Sequence, residues 1–146
     1  MTPRRAVLAD MDAVAILHRL TMKTALPYLP DIHSAQDDLR FFHEQLFATD
    51  QVWVVEDAGT IVGYAAWAKG WLNHLYIHPG HHGRGFGGAL LDKAKSEADE
   101  LQLWAFQQNH RARRFYEARG FILVTLTDGS GNDERTPDAL YRWKRI

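Results

Sequence analysis

The stretch LNHLYIHPGHHGRGFGGALLDKA, residues 72–94, decides the fold. It predicts a strand that Pro79 and Gly80 stop, then a glycine-rich turn, and then a helix whose buried face begins at Leu90. A strand that enters a tight turn and a helix aims unpaired backbone N–H groups and the positive end of the helix dipole at one point. We therefore expect this turn to bind phosphate.

The glycines of the turn support that expectation. Four of six consecutive residues are glycine, at positions 83, 85, 87 and 88, more than one tight turn requires. Glycine permits positive φ and lets an anion approach the backbone where a Cβ would obstruct it. The side chains of His82 and Arg84 are candidate additional donors to the phosphate.

Outside this stretch the chain alternates short strands and helices. We expect a strand over residues 4–8, a helix capped by Asp10, and a second helix over 34–48 that begins with a capping box. The dipeptide at 58–59 predicts a hairpin turn, and Gly120 ends a short helix. The predicted order is β-α-α-β-β-β-α-β-α-β-β, an α/β fold of the α+β type rather than a doubly wound sheet or a sandwich.

Composition limits the function further. We expect the 146 residues to form a single domain, 1–146. They are 46% hydrophobic and 24% charged, as in ordinary globular proteins. A net charge of −1 disfavours nucleic-acid binding. The chain has no cysteine, and we find neither a signal peptide nor an apolar stretch long enough for a membrane span. We therefore expect a cytoplasmic protein without a membrane partner.

The glycine pattern leaves several phosphate compounds open. Residues 83–88 match G-x-G-x-x-G, the dinucleotide fingerprint. The following strand, however, leads into Gln107 and Gln108 where that fingerprint needs an acidic residue. A P-loop would need Lys followed by Ser or Thr where the chain has Gly88 and Ala89. These two departures weaken both the dinucleotide-binding and the P-loop interpretations.

Two separate motifs carry a resemblance to a known family. The first is the run from His82 to Gly87. The second contains Asn109, Ala112, Phe115, Tyr116, Gly120 and Phe121. In this order the motifs resemble Q/R-x-x-G-x-G/A and N…A-x-x-F-Y-x-x-x-G-F of the GNAT superfamily of acetyl-coenzyme A dependent N-acetyltransferases. His82 departs from the usual Gln or Arg at the first position.

The resemblance implies a mixed, mostly antiparallel sheet of about six or seven strands with about four helices. It also implies that acetyl-coenzyme A is the cosubstrate. Its pyrophosphate would lie on the turn, its pantetheine between the strands at 72–77 and 101–106, and a backbone N–H around 75–77 would receive the oxyanion. The implied coenzyme contacts are Leu75, Tyr76, Ile77, His82, Gly83, Arg84, Gly85, Phe86, Gly87, Gly88, Asn109 and Tyr116.

For the chemistry we expect Tyr116 to act as the acid that assists the departing thiolate, because a phenol can donate to sulfur. Related enzymes often carry a Glu or His base near positions 71–73, and this chain has neither there. His74 is the nearest titratable group and our candidate base. Deprotonation through ordered water, or capture of an already neutral amine, is left open.

The acceptor site is the least defined by the sequence. In this fold we expect it near the first two helices and the C-terminal loops, with Tyr28, Asp31, Asn73 and Glu134 as substrate-binding candidates. The acceptor would be a small-molecule or peptide amine, and homodimer formation stays open. We expect no metal, because the histidines at 74, 78, 81 and 82 have no carboxylate or cysteine beside them. Alternatives are a non-catalytic acyl-coenzyme A sensor and a nucleotide-binding protein.

Overall fold

A computed structural model describes residues 2–146. It contains one seven-stranded sheet with the order β1-β2-β3-β4-β5-β7-β6. The strands are β1 (Arg4–Arg5), β2 (Gln51–Asp57), β3 (Thr60–Ala68), β4 (Trp71–Ile77), β5 (Glu100–Phe106), β6 (Ile122–Leu126) and β7 (Asp138–Lys144). All neighbours are antiparallel except β4 and β5, which are parallel. The predicted fold class and element order are confirmed.

Four helices lie against the sheet. They are α1 (Met11–Ala25), α2 (Ala35–Phe41, continued by a π-helical turn Phe42–Leu46 and a last turn Phe47–Thr49), α3 (Phe86–Ser96) and α4 (His110–Glu117). The predicted capping box of α2 is confirmed, since Ser34 Oγ accepts from the Asp37 N–H at 3.0 Å and Asp37 accepts from the Ser34 N–H at 3.0 Å. No helix within residues 2–146 is both long and apolar enough to cross a bilayer.

The first predicted strand is shorter than expected. Only Arg4 and Arg5 form ladder pairs with β2, the Ala6 N–H donates to the Val52 carbonyl at 2.9 Å, and a 3-10 turn over Leu8–Asp10 replaces the rest of the expected strand. Asp10 explains the bend, because its carboxylate binds the Arg4 guanidinium at 2.9 and 3.0 Å and the Val7 N–H at 2.8 Å. Asp10 therefore caps this turn, and its side chain makes no cap hydrogen bond to α1.

The sheet is packed on both faces. Helices α1 and α2 bury one face around Met11, Val14 and Phe42. Helices α3 and α4 bury the other face around Leu90 and Leu91. Each of these five side chains is at most 1% exposed, so both helix pairs are firmly seated on the sheet.

A β-bulge interrupts β4. Ala66 lies opposite His74 while Trp67 lies opposite Leu72, so Asn73 is an extra residue. A bulge shifts the two-residue alternation of a strand. Leu72 and Leu75 consequently share one face of the sheet despite their odd spacing.

Candidate active site

A cleft opens where the two parallel strands separate. Strands β4 and β5 share a single residue pair, Trp71 with Gln102, and then diverge. The opening is a cavity of about 330 Å³ lined by β4, β5, α4 and the glycine-rich turn. Both strands thus offer backbone edges to whatever lies between them.

The backbone of β4 faces this cleft with free N–H groups. The His78 N–H donates to the Val62 carbonyl of β3 at 2.7 Å. Successive residues of a strand direct their N–H groups to opposite sides. The N–H groups of Leu75 and Ile77 therefore point away from β3 and toward the cleft.

The glycine-rich turn closes one end of the cleft. Gly83 has φ 77° and Gly85 has φ 88°, and Gly85 is the N-cap of α3. Gly87 and Gly88 lie inside α3 and do not have positive φ. Gly87 is instead a packing position, because a Cβ there would lie 3.3 Å from the Phe115 ring. The turn presents the first N–H groups of an eleven-residue helix to the cleft.

Arg84 is placed differently from the phosphate-donor prediction. Its guanidinium donates to the Asp57 carboxylate of the β2–β3 hairpin at 2.9 Å, and it does not line the cleft. Phe86 is 3% exposed and belongs to the core beneath the turn. Arg84 therefore ties the turn to the hairpin.

His82 lines the cleft and is anchored to β4. Its Nε2 lies 3.0 Å from the Ile77 carbonyl, and a carbonyl can only accept, so Nε2 carries the proton. Burial lowers the pKa of this imidazole, and the nearby Arg111 charge acts in the same direction. Within residues 2–146 no group of three or more His, Cys, Asp or Glu side chains could hold a metal ion.

Helix α4 and the residues at its two ends bring three further polar side chains to the cleft. Asn109 is its N-cap and accepts from the Ala112 N–H at 3.2 Å, so the amide NH₂ group remains for a ligand. Arg111 and Arg119 line the cleft, and Arg119 stacks over the Phe115 ring at 3.8 Å. Arg113 points elsewhere, donating to the Tyr141 hydroxyl at 2.9 Å.

Two tyrosines lie in the cleft. Tyr116 is 8% exposed and packs edge-on against Phe115 and Phe121. No group of residues 2–146 hydrogen-bonds its hydroxyl. Burial raises the pKa of Tyr116, with a smaller contribution from Tyr76. Burial, followed by the Glu134 charge, raises the pKa of Tyr76 to about 12. Both phenols stay protonated at neutral pH.

His74 lies apart from this cleft. It is half-buried on the α1 side of β4, and its Nδ1 is 2.9 Å from the Tyr64 hydroxyl. Burial lowers the pKa of His74 to about 3. Its neighbour Asn73 lines the cleft and donates to the Asp50 carboxylate at 2.9 Å.

A second cavity of about 360 Å³ lies beside α1. Helix α1, the following loop, the start of α2 and Glu134 enclose it. Arg19 binds Asp31 at 3.2 Å and Asp38 at 2.9 Å within its wall, and Lys23 lies 3.6 Å from Asp31. Glu134 has no ion-pair partner within residues 2–146. Three carboxylates against two cations leave this cavity net negative.

The structure brings some of the predicted acceptor residues together. Asp31 and Glu134 share the second cavity, while Asn73 lines the cleft. Tyr28 is 40% exposed and lines neither cavity. The loop that carries Glu134 is held by the buried Asp138, which accepts from Asn132 at 3.0 Å and from Thr127.

The profile of the Acetyltransferase (GNAT) domain matches residues 48–123, more than half of the chain. The protein belongs to the GNAT acetyltransferase family. The matched segment holds β2 to β5, the glycine-rich turn, α3, α4 and the first residues of β6. It leaves out α1, most of α2 and the loop of Glu134, which enclose the second cavity.

Relatives of known name agree with this assignment. The chain is 29% identical to peptidyl-lysine N-acetyltransferase YiaC of Escherichia coli over 110 residues, 74% of this chain and 73% of that protein. It is 26% identical to the L-amino acid N-acyltransferase MnaT of E. coli, covering 96% and 99% of the two chains. This GNAT chain is accordingly an acyltransferase.

Solved structures share the fold. The structure of yncA of Salmonella typhimurium, described with its cofactor acetyl-CoA, superposes with a TM-score of 0.73 at 20% identity. The comparison covers 100% of this GNAT chain and 94% of that one. The likeness therefore extends beyond the residues that the family profile matches.

One residue beside the cleft was missed by the sequence analysis. His18 on α1 lines the second cavity and contacts the Tyr76 ring edge-on at 5.3 Å. Tyr76, which was named as a coenzyme contact, lines the cleft. His18 stands in no recognisable motif, because its position depends on how α1 packs on β4.

Proposed function

We propose that residues 1–146 act as one N-acetyltransferase domain that transfers an acetyl group from acetyl-coenzyme A to a primary amine. The amine would attack directly in a ternary complex. The observation that carries the proposal is the cleft between β4 and β5, which has a phosphate-type turn at one end and two protonated tyrosines beside it. The structure of yncA with acetyl-CoA supports the choice of cosubstrate.

The residues present fit the coenzyme. Gly83 and Gly85 leave room at the helix N-terminus for a pyrophosphate, and Arg111 supplies a cation at the cleft. The N–H groups of Leu75 and Ile77 suit an extended amide chain laid along β4. The bound coenzyme supplies an activated thioester carbon.

Two groups of the chain would then assist different parts of the reaction, a backbone N–H of β4 and the Tyr116 hydroxyl. A cleft-facing backbone N–H of β4, at Leu75 or Ile77, is available to stabilise negative charge on the acyl oxygen. As the new C–N bond forms and the C–S bond breaks, Tyr116 donates its hydroxyl hydrogen bond or proton to the sulfur. The raised pKa of Tyr116 keeps that proton in place until the thiolate develops.

We place the acceptor in the second cavity. Its net negative charge attracts a cationic amine, and Glu134 is the carboxylate free to receive it. His74 is a poor base for this amine because it lines neither cavity and its pKa is lowered to about 3. Loss of the proton to water, or entry of the neutral amine, is the favoured route.

The ion pairs of the second cavity disfavour acceptor amines that carry a carboxylate. Arg19 and Lys23 are both engaged by carboxylates, so neither is free for an acceptor carboxylate. We therefore favour an amine without an adjacent carboxylate, such as the lysine side chain of a peptide. Between the acceptors named for YiaC and MnaT, this arrangement favours the former.

The test is thiol release from acetyl-coenzyme A in the presence of an amine panel. We expect release with Nα-acetyl-lysine amide and poor release with L-leucine, whose amine adjoins a carboxylate. A melting assay accompanies it, since a ligand at 100 times its Kd adds about 2.7 kcal/mol to the free energy of unfolding. Stabilisation by acetyl-coenzyme A without thiol release from any amine would favour the sensor. Equal stabilisation by NAD or ATP would favour a nucleotide-binding protein.

A further inference from the structure

Three side chains from different elements form a hydrogen-bonded chain beside the cleft. The Tyr64 hydroxyl of β3 lies 2.8 Å from His18 Nδ1 and 2.9 Å from His74 Nδ1. Tyr64 is fully buried, and the rings of Phe42 and Tyr76 pack around the group. The chain therefore links α1, β3 and β4 through one hydroxyl.

A hydroxyl carries one hydrogen, so this geometry restricts the protons on both imidazoles. Tyr64 can donate to one Nδ1 only and must accept from the other. With both rings neutral, one histidine carries its proton on Nδ1 and the other on Nε2. The two tautomers are coupled, and a change at one ring requires a change at the other.

His18 stands between the two cavities. It lines the second cavity, and its ring contacts the ring of Tyr76, which lines the cleft. Its Nδ1 is used by Tyr64, and no group of residues 2–146 hydrogen-bonds its Nε2. With Nδ1 engaged by Tyr64, Nε2 is the ring nitrogen of His18 that is left for a ligand.

The charge state of His18 suits an acceptor of hydrogen bonds. Burial lowers its pKa to about 4, against a raising effect of Asp38 and with a further lowering by Arg19. The other groups packed on it, Tyr64, Tyr76 and His74, are uncharged at neutral pH. A neutral imidazole can accept at one nitrogen, which an imidazolium cannot.

A nucleophilic amine needs a partner of this kind. The lone pair of the amine must point at the acyl carbon. The protein can therefore orient the amine only by accepting hydrogen bonds from its N–H groups. Asp31 and Asp38 are paired with Arg19. Among the side chains that line the second cavity, Glu134 and His18, whose Nε2 has no partner within residues 2–146, are available acceptors.

We propose that His18 binds the acceptor amine through Nε2, in the Nδ1–H tautomer, which is one of the two arrangements that the chain through Tyr64 to His74 permits. His18 Nδ1–H donates to Tyr64, and Tyr64 donates to His74 Nδ1. Tyr64 and His74 are thus positioning residues. The assignment of the amine rests on the proposed function, whereas the tautomer is a property of the ligand-free protein.

The first test reads the tautomer directly. Long-range ¹H–¹⁵N spectra of the imidazoles in the ligand-free protein should show His18 with a protonated Nδ1 and an unprotonated Nε2. In Tyr64→Phe the Nδ1–H form of His18 should lose its predominance, while His43 on the surface of α2 should keep its spectrum. A protonated Nε2 on His18 in the wild-type protein would overturn the proposal, whatever the enzymatic activity.

The second test uses two substitutions at one position. An Asn amide reaches the place of Nδ1, so His18→Asn keeps a partner for Tyr64 and removes the nitrogen proposed to bind the amine. A Gln amide reaches the place of Nε2. With Nα-acetyl-lysine amide as the probe, His18→Asn should raise the amine KM about tenfold, as expected for one lost hydrogen bond, and His18→Gln should restore most of it.

Controls separate this inference from the proposed function. The KM for acetyl-coenzyme A should stay unchanged in both His18 variants, and His43→Asn should leave both KM values unchanged. An unchanged amine KM in a folded His18→Asn variant would refute amine binding by His18. If no amine releases thiol from the wild-type protein, the proposed function fails, and the tautomer spectrum still decides the hydrogen-bonded chain.

Discussion

The cleft and the second cavity are built in opposite ways. The cleft is lined mainly by two continuous segments, from β4 into α3 and from β5 into α4. The second cavity joins α1, its following loop and α2 to Glu134, far along the chain. Local segments carry recognisable motifs, whereas a cavity assembled by packing does not. The cleft, which we propose for the coenzyme, can therefore be predicted from the sequence, and the second cavity, which we propose for the acceptor, cannot.

The strongest test of this contrast is Gly85→Val. A branched side chain at φ 88° is strained and stands where the backbone must meet a pyrophosphate. We expect stabilisation by acetyl-coenzyme A to disappear in the melting assay, corresponding to at least about a 100-fold weaker Kd. Gly131→Val is the control, because a Cβ there meets nothing within 4 Å. Normal binding by folded Gly85→Val would mean that the phosphate site lies elsewhere.

Tyr116→Phe separates binding from chemistry within the cleft. The substitution removes only a hydroxyl, so the Kd of acetyl-coenzyme A should change little while kcat falls about 100-fold. An acyl donor with a thiol of lower pKa should shrink the loss, because its thiolate departs with less help. Tyr28→Phe, at an exposed position outside both cavities, should have no effect. An unchanged kcat would assign Tyr116 to packing.

Glu134→Gln probes the second cavity alone. Removing the unpaired carboxylate should raise the KM for a cationic amine about tenfold and weaken its salt dependence, because a long-range attraction is lost. The KM for acetyl-coenzyme A should stay the same. The matched control is Asp133→Asn, an exposed neighbour outside the cavity wall. Equal effects of the two variants would show that general surface charge, rather than Glu134, attracts the amine.

The last prediction concerns stability in acid. The pKa values of His18 and His74 are lowered to about 4 and about 3, whereas unfolded histidine titrates near 6.5. The unfolded state therefore binds more protons below pH 6.5, and stability falls as the pH drops from about 6.5 toward 4. His74→Asn should reduce that slope by about 1 kcal/mol per pH unit in urea unfolding. A slope equal to that of wild type and of His43→Asn would contradict the lowered pKa.

Much of the fold follows from local signals. The capping box at Ser34, the hairpin turn at Ala58 and the glycine-rich turn each act within a few residues, and each lies where the sequence predicts it. The shortened first strand shows the limit of such signals. Arg4 reaches Asp10 and bends the chain, and a pattern of apolar residues does not report that ion pair.

The candidate site shows the same limit at greater distance. Tyr116 and Asn109 stand in a motif, and both line the cleft. The ion pair of Arg84 with Asp57 and the place of His18 depend on contacts across the sheet. The bulge at Asn73 also shifts the alternation of β4 by one residue. Alternation of side chains between the two faces of the sheet therefore predicts residue orientation in β4 only within the part of the strand on one side of the bulge.

The single pair between β4 and β5 has a mechanical consequence. Without a continuous ladder there, β1–β4 and β5–β7 are held together by side-chain packing in the core under α3 and α4. The ligand-free protein should open locally along the boundary between β4 and β5. Amide hydrogens at Leu75 and Ile77 should therefore exchange with solvent faster than the amide hydrogens of β4 that are bonded to β3. A coenzyme laid between the strands would complete the sheet and slow this exchange. Part of the binding free energy of the coenzyme would thus be used to hold β1–β4 and β5–β7 together. The affinity for the coenzyme would therefore depend on how rigidly these two parts are already joined in the ligand-free protein.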